Sequence, residues 1–117
     1  MGRLTTHVLD TAHGAPGANM RIDVYRISAG ERQHLKTVTT NADGRSDAPV
    51  LEGEAFTAGQ YELEFHAGAY FRARGVDLPE PAFLDDVVVR FGIASPGEHY
   101  HVPLLVSPYS YSTYRGS

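Results

Sequence analysis

The sequence predicts an all-β protein, a sandwich of seven or eight short strands with one brief helix. Three observations predict it. Apolar residues recur at every second position in five stretches, the period of a strand with one buried face. Glycine, proline, aspartate and serine clusters punctuate those stretches. Only residues 66–75, HAGAYFRARG, break the alternation, with small residues leading into aromatics, and they read as the helix.

Residues 4–10 form the first strand, with Leu4, Thr6 and Val8 on one face and Thr5, His7 and Leu9 on the other; a turn follows at 14–17. Residues 20–27 repeat the pattern with Met20, Ile22 and Val24 inward and Arg21, Asp23 and Tyr25 outward. Residues 28–31 then turn the chain into a threonine- and valine-rich strand at 33–40, completing a hairpin. The Asp-Gly turn in NADGR, 41–45, delivers Arg45 from a tight bend. The next segment is irregular, with at most a short strand near Asp47. Tyr61, Leu63 and Phe65 then alternate with Glu62 and Glu64. Pro79 and Pro81 forbid regular structure. Residues 85–93 give a strand with Val87, Val89, Phe91 and Ile93 inward. After Ser95-Pro96-Gly97 comes the tail HYHVPLLVSPYSYSTYRGS. There His99, His101, Pro103 and Leu105 share one face while Tyr100, Val102, Leu104 and Val106 share the other, and a tyrosine-rich strand follows a Ser-Pro turn.

At 117 residues the chain is expected to form one domain, 1–117, long enough to bury a core. Ten basic against fourteen acidic side chains give a formal charge of −4, without the basic stripe that nucleic acid requires. The absence of cysteine excludes disulfides and thiolate metal sites. No long apolar span and no leader pattern are visible, so a cytoplasmic protein without a membrane partner is expected. The terminal Arg-Gly-Ser does not read as a Ser-Lys-Leu address.

The THVLD at 6–10, the DGR at 43–45, the histidine-bearing tail and the terminal Tyr114-Arg115-Gly116-Ser117 together resemble the transthyretin-like family and, within it, the 5-hydroxyisourate hydrolases. That resemblance covers nearly the whole chain. It implies a transthyretin-like β-sandwich of two four-stranded sheets with one short helix. It also implies a homotetramer, a dimer of dimers, with sites at the dimer-dimer interface, lined by the first strand and the last two. Carried over by position, the catalytic set is His7, Arg45, His101 and Ser117. Tyr114 and Arg115 join His7 and Arg45 in holding the small-molecule substrate, and His99, on the face of His101 but at the strand's mouth, ranks second. The implied reaction opens the six-membered ring of 5-hydroxyisourate to give 2-oxo-4-hydroxy-4-carboxy-5-ureidoimidazoline, a step of urate degradation in purine catabolism.

The residue types suit that chemistry. Cleaving a C–N bond beside a carbonyl needs an activated water, a donor for the oxyanion and a proton for the departing nitrogen. Histidine titrates near neutral pH, and the arginine fork matches a planar, carbonyl-rich anion. Which histidine is the base is not legible here. His13, His34 and His66 read as hydrogen-bonded or solvated bystanders, and Tyr109 and Tyr111 as packing or interface residues. Pro103, lacking an N–H, suggests a gap in strand pairing. His7, His99 and His101 could in principle ligate zinc. No carboxylate stands at ligand spacing, and the family resembled works without metal, so neither metal nor cofactor is expected. The alternatives are a small-molecule carrier using the same channel, which would want an apolar lining, and an interaction module whose tail binds a partner protein.

Overall fold

The computed structural model describes residues 2–116. Nine strands make two sheets. In the first, β1 (Arg3–Asp10) lies between β2 (Ala15–Pro16) and β8 (Tyr100–Val106), with β9 (Tyr111–Thr113) beyond β8 and β5 (Leu51–Glu52) paired to the start of β1. The second has the order β4 (Glu31–Thr39), β3 (Arg21–Ser28), β6 (Gly59–Phe65), β7 (Val87–Ile93). One α-helix among the described residues, α1 (Ala67–Ala73), follows β6 and buries Tyr70 and Phe71. No helix among the described residues is long and apolar enough to cross a membrane.

The alternation read from the sequence is what closes the sandwich. Leu4 and Val8 of β1, Val102, Leu104 and Val106 of β8, Ile22 and Val24 of β3, and Leu63 and Phe65 of β6 all join one buried cluster. The β3–β4 hairpin turns through Ala29 and Gly30, both at positive φ (52° and 79°), the backbone that matches strand twist.

Four details differ from the sequence reading. Ala15 and Pro16, read as turn, form β2 against Leu9 and Asp10. The short strand expected near Asp47 is β5, at Leu51, so the first sheet has five strands rather than four. The strand expected from residue 85 begins at Val87, and Phe91 is half-buried, stacked 6.2 Å from Tyr61, rather than fully inward. Asp23 has the outward parity expected of it yet is buried, because Thr37, His34, His66 and Arg21 close over its carboxylate.

Candidate active site

One unusual pairing positions the site. β1 and β8, joined across almost the whole chain, run parallel, with Thr5 opposite His101, His7 opposite Pro103 and Leu9 opposite Leu105. Opposed residues in a ladder share a face, so Thr5, His7, His99 and His101 all stand on the side of the sheet away from the core.

Arg45 reaches the same face from the other flank of β1, through an antiparallel bridge to His7. The turn that aims it is built locally. Asn41 Oδ1 accepts the N–H groups of Asp43 and Arg45 at 2.9 and 3.2 Å, and Gly44 adopts φ 78°. Gly44 also has to be glycine for space, since a Cβ would lie 2.3 Å from the Val8 carbonyl oxygen. Its own carbonyl accepts the Val8 N–H at 2.8 Å, so turn and strand move together.

His7 Nε2 lies 2.9 Å from the Asp43 carbonyl oxygen. A carbonyl only accepts, so Nε2 carries the proton and, in the neutral ring, Nδ1 keeps the lone pair. His101 Nδ1 lies 2.8 Å from Thr5 Oγ1, and the same hydroxyl is 3.2 Å from His99 Nε2. The two imidazoles stack at 6.5 Å, with their planes 12° apart. Burial first, then the Arg45 cation and coulombic repulsion from the His7 and His99 imidazoles when they are protonated, hold the His101 imidazolium below the ordinary histidine range.

The tail closes the other side. β9 pairs antiparallel with β8 up to Thr113, and contact is renewed in the same register at Gly116, whose N–H donates to the His101 carbonyl at 2.7 Å. Pro103, with no N–H to give, sits in the interval, and its carbonyl takes the Thr113 hydroxyl at 2.7 Å instead. A Cβ on Gly116 would stand 2.7 Å from His101 Cδ2, so glycine permits the tail to lie against the imidazole.

Two clefts flank His99 and His101. One, of about 660 Å³, is lined by Arg3, Thr5, Arg45, Asp47 and both histidines; the other, of about 770 Å³, by the histidines with Tyr114, Arg115 and Gly116. Two arginines against one aspartate give the first cleft a positive balance suited to an anion. Arg115 borders the second cleft, but its guanidinium lies 4.0 Å over the Tyr100 ring and 3.0 Å from Glu98 Oε1, fastening the tail rather than facing His7 and Arg45. Ser117 lies outside the described residues.

With these positions fixed, relatives can be compared. The family model described as HIUase/Transthyretin matches residues 4–116. The chain belongs to the HIUase/transthyretin family. A 5-hydroxyisourate hydrolase of Pseudomonas aeruginosa is 66% identical over 117 residues, covering 100% of this chain and 93% of the relative. Among solved members of the family's fold, Klebsiella pneumoniae 5-hydroxyisourate hydrolase superposes with a TM-score of 0.81 at 33% identity, with 100% of each chain covered. An (S)-allantoin synthase superposes at 0.93 with 50% identity; it covers 99% of this chain, which spans 44% of that one.

Thr5, Gly116 and the Asp43 carbonyl are site features that the sequence reading did not pick out. The parity of Thr5 was visible, but its place opposite His101 follows only from the parallel register. One nitrogen of each of the three imidazoles considered for zinc is hydrogen-bonded: Thr5 holds one each of His99 and His101, and the Asp43 carbonyl holds Nε2 of His7. Asp23, Glu64 and His66 do have ligand atoms within 4.8 Å of one another, but Asp23 is occupied by Thr37, His34, His66 and Arg21.

Proposed function

We propose that this protein hydrolyses 5-hydroxyisourate, opening its six-membered ring to 2-oxo-4-hydroxy-4-carboxy-5-ureidoimidazoline. The single observation that carries the reading is the convergence of His7, Arg45 and His101 on one face of the β1–β8 ladder, in a chain 66% identical to a hydrolase of that name.

The tautomer of His7 gives the mechanism its direction. Its bare Nδ1 takes a proton from water as the water oxygen bonds to the ring carbonyl carbon. The oxyanion that results is neutralised by Arg45, with His101 as a second donor. When the C–N bond breaks, the electron pair leaves with nitrogen, and His7 returns the proton to it. Water is consumed, a carboxylate forms, and no cofactor or metal enters any step.

We assign Tyr114 and Ser117 to substrate orientation: Tyr114 borders the second cleft, and Ser117 follows Gly116, which is bonded to the His101 backbone. Arg115 serves instead as the clamp that keeps this tail in place. We further propose a cytoplasmic homotetramer in which two dimers meet over this face. Its support is the openness of both clefts and the exposure of Tyr114, which borders the second of them, aromatic surface of the kind that interfaces use. The charged lining of the first cleft argues against a carrier of apolar ligands.

The test is to generate 5-hydroxyisourate with urate oxidase and follow its decay. The protein should accelerate it, while His7→Asn and His101→Asn should each lose roughly 10²-fold or more in turnover. No acceleration by the wild-type chain would end this reading. Light scattering should return a tetramer; an active monomer would remove the proposed assembly.

A further inference from the structure

We propose that Thr5 is a positioning residue that, together with His99, fixes His101 as the tautomer bearing its proton on Nε2. The inference rests on the hydrolytic reading of this site and assigns its second histidine a task.

The argument is proton counting. A threonine hydroxyl has one proton to donate and lone pairs with which to accept. Thr5 Oγ1 spends its side-chain hydrogen bonds on two imidazoles, 2.8 Å to His101 Nδ1 and 3.2 Å to His99 Nε2. The other nitrogen of His99, Nδ1, is buried and has no hydrogen-bond partner among the described residues. A neutral imidazole must place its proton on one of its two nitrogens. On Nδ1 of His99 it would be a buried N–H with no acceptor, an arrangement that proteins rarely tolerate. On Nε2 it donates to Thr5.

Once the Thr5 oxygen accepts from His99, its own proton is free for the shorter contact, to His101 Nδ1. That nitrogen is then the acceptor, and the proton of neutral His101 lies on Nε2. The opposite choice would have both imidazoles donating to Thr5 while its hydroxyl proton went unused. The near-parallel rings, 12° apart, fit a single hydroxyl serving both, and the parallel register that sets Thr5 opposite His101 provides it.

His7 and His101 therefore present unlike atoms. His7, its Nε2–H given to Asp43, offers a lone pair; His101, its Nδ1 capped by Thr5, offers an N–H. The first takes a proton from water, and the second donates a hydrogen bond to the oxyanion without giving its proton away. Burial and the Arg45 guanidinium oppose a charge on His101; His7 and His99 also face it, with Arg3 and Asp47 across the first cleft.

The experiment reads the tautomer directly, on the full chain labelled with ¹⁵N-histidine, at a pH above the ordinary histidine range. His101, assigned through His101→Asn, should show a protonated Nε2 and an unprotonated Nδ1. Thr5→Val keeps the branched shape that a strand accepts but removes the hydroxyl. It should move both His101 nitrogens toward the average of two tautomers and lower kcat about twofold with KM unchanged, because only about half of the population then presents the donor. Thr5→Ser should restore both readings. His99→Phe should add little to Thr5→Val, since the two act in series. An Nδ1–H on wild-type His101, or His101 shifts unmoved by Thr5→Val, would overturn the proposal. If the spectra behave as expected while the wild-type chain leaves 5-hydroxyisourate untouched, the hydrolytic reading fails and the relay stands.

Discussion

Gly116→Ala is the sharpest perturbation of the tail that the structure offers. The added Cβ would lie 2.7 Å from His101 Cδ2, 3.1 Å from its Cβ and 3.2 Å from its Cγ, where ordinary contact begins at 3.4 Å. Either the imidazole or the tail must give by about 0.7 Å. Both outcomes disturb the site, since one swings His101 off Thr5 and the other breaks the Gly116 N–H bond to the His101 carbonyl. Displacements near 1 Å cost about 10²-fold in rate, so a loss between about 10-fold and 10²-fold is expected, equivalent to roughly 1.4–2.7 kcal/mol of barrier. Stability should change far less than turnover. Gly116 takes no part in the buried cluster, and replacing an extended glycine changes stability by at most about 1 kcal/mol, or about 4–8 °C in Tm. Turnover of 5-hydroxyisourate and thermal unfolding are the two measurements, with Gly97→Ala, whose Cβ meets nothing within 4 Å, as the control. A Gly116→Ala protein with wild-type turnover would refute the idea that the tail sets the position of His101.

Three further outcomes are expected. Deleting residues 115–117 removes the Glu98 and Tyr100 clamp and the Gly116 bridge but no core residue, so activity should collapse while urea unfolding changes little; a fully active truncation would place the site elsewhere. Arg45→Gln removes one of the positive charges that, after burial, depress His101, so the His101 titration followed by NMR should move up toward about 6.5. Because the folded chain binds that proton less readily than the unfolded one, the His101 contribution to stability is full above about 6.5 and is lost as the pH falls through its folded value; an unmoved titration would show that Arg45 does not face it. Asp23→Ala strands the Thr37 hydroxyl, two imidazoles and Arg21, and should cost about 2–3 kcal/mol by urea titration, with a cost under about 0.5 kcal/mol refuting the role. Burial favours the neutral form of that carboxyl, but bonds from Thr37, His66 and His34 and the charge of Arg21 outweigh it and hold it well below the usual carboxylate range, so its contribution persists until strongly acid pH.

Strands with a long alternating run were legible because period two is enforced by burial on one face: Leu4 and Val8, Ile22 and Val24, and Leu63 and Phe65 all face the core as their spacing requires. β2 and β5 were not, since two residues cannot display a period and owe their pairing to what β1 brings alongside. The same limit hid the setting of Asp23, whose parity is outward although neighbouring strands bury it. At the site, His7, Arg45 and His101 carried motifs, and the fold gathers them on one face. Arg115 carried one too. The constant register across the Pro103 interval sends its side chain toward Tyr100, a direction that depends on pairing the sequence does not state.

The parallel ladder between β1 and β8 has a kinetic consequence. Its partners lie 96 positions apart, as in the pairing of Leu4 with Tyr100, so a chain emerging from the ribosome holds β1 with that hydrogen-bonding edge open until residues 100–106 have been made. Closing so long a loop is entropically slow, and folding in the millisecond-to-second range typical of such topologies follows. During that interval an apolar strand edge is exposed to other nascent copies. Slowed synthesis or lowered temperature should therefore raise the yield of soluble protein more than any stabilising change within β3, β4 or β6, whose neighbours are close at hand.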